Sequence, residues 1–94
     1  MLDRQQQSRY AYVYAIALQS AGRREDAISV LKQNLQRHAN DRETLSALIN
    51  FSREAGDLRT ALQYAERLAR LIPHDRGLAS LVDALRRDTA NVSR

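Results

Sequence analysis

The chain carries two histidines, His38 and His74, and no cysteine. Imidazole and thiolate are the usual side chains for holding zinc or moving protons near neutral pH. Here the inventory stops short of a site. There is no H-x-x-x-H pair, no glycine loop of the phosphate-cradling kind, and no serine beside an evident base. Each histidine stands near the end of an amphipathic stretch, where an imidazole interacts with a helix dipole and with water. An enzyme is not expected, nor a cofactor or a metal. The lack of cysteine excludes disulfide staples and thiolate sites.

The remaining chemistry is that of recognition. Fourteen arginines and one lysine face eleven acidic residues, for a net charge of +4. Arg67, Arg70, Arg86 and Arg87 are the candidates for phosphate contact. The acidic residues are interspersed and no basic block forms, so nucleic acid is not the expected partner. No apolar run approaches the roughly 18 residues of a membrane span. No basic-then-apolar stretch of the signal-peptide kind opens the sequence. A soluble protein, cytoplasmic by default, is expected. Tyr10, Tyr12 and Tyr14 alternate, as in a strand, but their Ala, Leu and Gln neighbours favour helix. Tyr64 is expected to pack half-buried.

These residues are positioned by a repeat. Slid by 34, the sequence lays Ala21 on Ala55, Gly22 on Gly56, Ala27 on Ala61 and Ile28 on Leu62. Asp41 falls on Asp75 and Arg42 on Arg76. Apolar positions follow: Ala11 on Leu45, Tyr14 on Leu48, Leu31 on Ala65. Each unit reads as two helices. Leu45, Leu48, Ile49 and Ser52 make one stripe, and Leu58, Ala61, Leu62, Ala65, Leu68 and Ala69 the next. Asn40 or Asp41 caps the first, with Asn40 and Glu43 at capping-box spacing, and Asp57 caps the second. Arg23, at the matching place in the first unit, cannot cap in that way. The glycine marks a helix exit at positive φ, and the alanine a close approach of antiparallel helices. Tyr14 falls in the core by this frame. Leu78, Leu81, Val82 and Leu85 give a closing helix its inner face. Asp83 and Arg87 on its outer face are an i, i+4 pair.

The pattern resembles the tetratricopeptide repeat, a hairpin of 34 residues. The matching residues are Tyr14, Gly22, Ala27 and Leu31, then Leu45, Leu48, Gly56, Ala61, Ala65 and Pro73. Ala11 and Leu45 stand where the family often has Trp, Ala15 and Ile49 where it has Gly, and Ala39 at its first closing Pro. The implied fold is all-α: a right-handed α-solenoid of two antiparallel helix-turn-helix repeats plus a C-terminal capping helix. Residues 1–7 are then a flexible segment or the tail of a preceding repeat. Repeats occupy 8–41 and 42–75, the capping helix 76–89, and a disordered tail 90–94.

The resemblance also implies a concave groove lined by the first helix of each pair. Arg9, Tyr12, Ile16 and Gln19 fall there from the first unit, and Glu43, Ser46, Asn50 and Arg53 from the second. Tyr12 would stack, Asn50 would hold a peptide backbone, and Arg53 would pair with a carboxylate. The family's clamp for chaperone tails is missing, since Tyr12, Ile16 and Ala47 hold its places. A protein or peptide partner follows, for a scaffold that forms the C-terminal part of a larger repeat protein. The alternative is a structural or oligomerisation module. Tyr10, Val13 and Ala17 make an apolar stripe with no hairpin ahead of it, so self-association into a homodimer is expected there.

Overall fold

Sparse glycine and proline, and a wealth of Ala, Leu, Arg and Gln, leave helix as the cheap backbone state. A computed structural model describes residues 3–92. It contains α1 (Arg4–Ser20), α2 (Arg24–Arg37), α3 (Arg42–Glu54), α4 (Leu58–Leu71) and α5 (Arg76–Val92). There is no strand among the described residues. Each helix packs on the next, and α1 also touches α3. Connections of three or four residues between packed helices make neighbours antiparallel. The extents are 48 × 32 × 19 Å and the radius of gyration is 13.7 Å. A globular chain of this length would have about 12 Å, so the molecule is somewhat elongated.

The turns show why the chain reverses where it does. Gly22 and Gly56 both have φ +78°. Arg23 N–H donates to Leu18 O at 2.8 Å, and Gly22 N–H to Gln19 O at 3.0 Å. Asp57 N–H and Gly56 N–H make the same two bonds to Ser52 O and Arg53 O, at 2.9 and 3.0 Å. This is the Schellman closure, which satisfies carbonyls left over at a helix end. The ends of α2 and α4 also match each other, with φ −132° at His38 and −131° at Ile72.

Side-chain caps fix the starts. Asp41 accepts from Thr44 N–H at 2.9 Å, Asp57 from Thr60 N–H at 3.2 Å, and Asp75 from Leu78 N–H at 2.9 Å. The cap of α3 is therefore Asp41; Asn40 stands one residue too early, and no capping box forms with Glu43. Arg23 makes no cap, and its Nε donates to Asp26 Oδ2 instead, at 2.7 Å.

Two ends differ from the sequence expectation. Residues 4–7 are not a loose segment. They form the first turn of α1, and Asp3 and Gln6 close a capping box ahead of it, at 2.8 and 3.1 Å. At the other end α5 runs on through residues 90–92. Residues 1, 2, 93 and 94 lie outside the described residues.

The core follows the stripes. Leu45, Leu48 and Ile49 of α3, Ala61, Ala65 and Leu68 of α4, and Leu78, Val82 and Leu85 of α5 are buried. Ala27 and Ala61 have no exposed surface at all. A larger side chain there would push the paired helices apart. Tyr14 is the exception. Its counterpart Leu48 is fully buried, yet Tyr14 is 57% exposed. α3 has α2 lying on that side, and α1 has no such neighbour among the described residues.

One buried contact is polar. Asn34 Nδ2 on α2 donates to Ser8 Oγ on α1 and to Thr44 Oγ1 on α3, both at 2.8 Å. Thirty-four residues on, Leu68 and Leu78 hold the places of Asn34 and Thr44, and both are buried. The α2–α3 contact is thus hydrogen-bonded where the α4–α5 contact is apolar.

Candidate functional site

Helical spacing sets Arg9, Tyr12, Ile16 and Gln19 along one face of α1, and Glu43, Ser46, Asn50 and Arg53 along one face of α3. The two faces meet. Arg9 Nη1 lies 2.7 Å from Glu43 Oε2, and these residues occupy the same position in successive units. The Arg9 guanidinium also sits over the Tyr12 ring, 5.6 Å from its centroid. Arg9, Tyr12 and Glu43 are therefore brought together. An open cleft of about 420 Å³ is lined by Gln5, Gln6, Arg9, Asp41 and Glu43.

At the other end of the face, Gln19 Nε2 donates to Glu54 Oε2 at 2.8 Å. Glu54 was not among the sequence candidates. The repeat frame could not supply it, because its counterpart in the first unit is Ser20. Ser46, Asn50 and Arg53 are exposed, and their side chains have no hydrogen bond or ion pair among the described residues. Ile16 is exposed beside them, and Tyr12 is half-buried. The face thus has two parts: a self-satisfied charged end at Arg9 and Glu43, and a free polar stretch along α3.

The basic residues are dispersed. Arg67 Nη2 donates to Ala39 O at 2.8 Å, and Arg86 pairs with Glu66 at 2.9 Å. Arg86 reaching to α4 takes the place of the expected Asp83–Arg87 pair, which is not among the ion pairs of the described residues. His74 is exposed, and His38 is half-buried with its Nε2 enclosed and unbonded. No group of three or more metal-ligating side chains gathers among the described residues.

Among the described residues two carboxylates are shifted, and both are helix caps. Burial would raise Asp41, but hydrogen bonds from the Thr44 hydroxyl and amide and from Ser8, with the charge of His38, outweigh it and hold it low. Asp57 is held low by bonds from the Thr60 hydroxyl and amide. Burial pushes the half-buried Tyr64 phenol up. None of these shifts gathers into an acid–base pair.

Among known proteins, no family model and no curated protein matches the chain.

Proposed function

We propose that the chain is a tetratricopeptide-type repeat domain, with hairpins at 8–41 and 42–75 closed by α5. Its function is that of a non-enzymatic scaffold which binds a peptide or protein segment along the α1–α3 face. The recurrence of both turn types at an interval of 34 residues supports the repeat. The observation that carries the binding face is the Arg9–Glu43 bridge, because equivalent positions of successive hairpins touch there. Successive first helices that pack side by side generate a continuous concave surface.

On that surface Asn50 offers an amide that both donates and accepts, suited to an extended backbone. Arg53 offers an unpaired guanidinium for a carboxylate. Tyr12 and Ile16 supply the apolar contact. Arg9 and Glu43 satisfy each other and hold α1 against α3. The internal commitment of Arg67 and Arg86 weakens the case for nucleic acid, which needs several free cations in line.

The experiment is to select peptides from a displayed random library on the wild-type chain and titrate them against the combined variant Tyr12→Ala, Asn50→Ala, Arg53→Ala. A loss of at least about tenfold, the effect of roughly 1.4 kcal/mol, is expected. Peptides that bind both proteins equally would place recognition elsewhere.

A further inference from the structure

Ser8 of α1, Asn34 of α2 and Thr44 of α3 are all buried, and their polar ends meet where the three helices join. Asn34 Nδ2 gives one hydrogen to each hydroxyl, both at 2.8 Å. Each hydroxyl in turn gives its hydrogen to Asp41, the N-cap of α3. The four side chains close a ring in which every bond runs the same way, from amide through hydroxyl to carboxylate.

The carboxylate sets that direction. An ionised Asp41 only accepts, so it takes the single hydrogen of each hydroxyl. Lone pairs are then all that face Asn34, which must turn its NH2 and not its carbonyl toward them. A protonated Asp41 has a hydrogen of its own and one good acceptor oxygen left. It cannot keep the Thr44 amide, the Thr44 hydroxyl and the Ser8 hydroxyl together. A hydroxyl that loses its acceptor here is buried, where an unmet polar group is costly.

We infer that this ring is an acid-sensitive latch, which holds the α1–α2 hairpin onto α3 and releases it when Asp41 takes up a proton. The joint one unit later has no such ring. Arg42, Leu68 and Leu78 stand at the places of Ser8, Asn34 and Thr44, and Asp75 there accepts from the Leu78 N–H. Leu68 and Leu78 are buried, so the α4–α5 joint is apolar and does not titrate.

Three charged groups surround Asp41. Arg9 of α1 and Glu43 of α3 line one cleft with it and bridge each other. His38, at the end of α2, acts on it through its charge. Burial raises Asp41, but the bonds from Thr44 and Ser8, with His38, outweigh it and leave the folded value below the ordinary 3.8. The latch is therefore whole above the unfolded value and opens as pH falls through the folded one. Ser8 and Thr44 adjoin Arg9 and Glu43 in the chain, so opening parts the two halves of the α1–α3 face. That consequence alone rests on the function proposed above.

The test needs no ligand. Amide hydrogen exchange of the whole chain is followed helix by helix at pH 7 and pH 2.5, with rates corrected for the intrinsic effect of pH. In wild type, protection of α1 and α2 should fall at least about tenfold further than that of α4 and α5. Asp41→Asn keeps an oxygen for the cap but cannot titrate, and should show no such difference between its helices. A wild type that loses protection evenly in all helices overturns the inference. So does an Asp41→Asn variant that responds to acid as wild type does.

A second arm, at pH 7, tests the ring. Asn34→Ala and Asp41→Asn should each speed exchange in α1 and α2, and together by at least about threefold less than the product of the two effects. In chains that also carry Ser8→Ala and Thr44→Val this coupling should vanish. Coupling that survives without the hydroxyls would be direct electrostatics and would sink the ring. Should the hydroxyl-free chain fail to fold, the acid comparison alone decides.

Discussion

Gly22 and Gly56, 34 residues apart, have the same φ of +78°, and the residue after each closes the same bond to a carbonyl five residues back. Nothing lies within 4 Å of the place where a Cβ would stand on either glycine. Space is therefore not what demands glycine here. The backbone is, because L side chains are strained at positive φ.

Gly56→Ala should thus cost about 1 kcal/mol and Gly56→Val more, since β-branching worsens the strain. Asn tolerates this region better, so Gly56→Asn should fall between wild type and Ala. Thermal melting reads the series, at about 4–8 °C per kcal/mol for a domain of this size. A Val variant that melts with wild type would show that the turn can reach another conformation without loss.

Ala61 and Ala27 are the opposite case, where space decides. Both are fully buried in helices that pack on an antiparallel neighbour. Ala61→Leu should destabilise by about 1–3 kcal/mol through overpacking, and Ala27→Leu by a similar amount. Urea midpoints check this. Wild-type stability in Ala61→Leu would mean that α3 and α4 can separate freely.

Much of this was legible because the signals are local. A glycine that ends a helix and an alanine one turn into the next are read from spacing alone, and so are the apolar stripes of α3, α4 and α5. What misled was a tertiary absence or a tertiary preference. Tyr14 stands at a core position by register, but a register does not reveal whether a helix covers it. Arg87 has Asp83 at the right helical spacing, yet it is Arg86 that finds a partner, on another helix. Residues 4–7 looked like tail because glutamines carry no stripe. The Asp3–Gln6 spacing, suited to a capping box, was the signal that could have found the helix start. The groove candidates came from register alone. The contacts of Arg9 with Glu43 and of Gln19 with Glu54 could not be read from spacing.

Asn34 should behave as a coupled residue. Asn34→Ala removes two buried hydrogen bonds, to Ser8 and Thr44, and should cost about 1–3 kcal/mol. Asn34→Leu with Thr44→Leu reproduces the Leu68 and Leu78 pair found one unit later. The double variant should therefore be more stable than the sum of its single changes implies, by at least about 0.5 kcal/mol in a double-mutant cycle. Additive effects would show that the α2–α3 contact does not depend on this bond.

Asp41 links the same region to pH. Its carboxylate caps α3 by accepting the Thr44 N–H, and the Thr44 hydroxyl donates to it as well. Burial opposes ionisation, but these bonds, with Ser8 and the charge of His38, leave the folded value below the ordinary 3.8. A carboxyl whose value is lower in the folded state binds its proton more tightly when unfolded. Its contribution is then complete above the unfolded value and is lost as pH falls through the folded one. The loss should begin below about pH 5 and continue to the folded value. Asp41→Asn keeps a side-chain oxygen to cap the helix but cannot titrate. Urea midpoints of the two proteins should differ most near pH 7 and converge as the solution is acidified toward about pH 2. Asp57 and the other carboxylates are common to both proteins, so the difference between the curves belongs to Asp41 and the groups that interact with it. Parallel curves over the whole range would mean that Asp41 has the same affinity for its proton folded and unfolded, and that the bonds from Thr44 do no more than replace water.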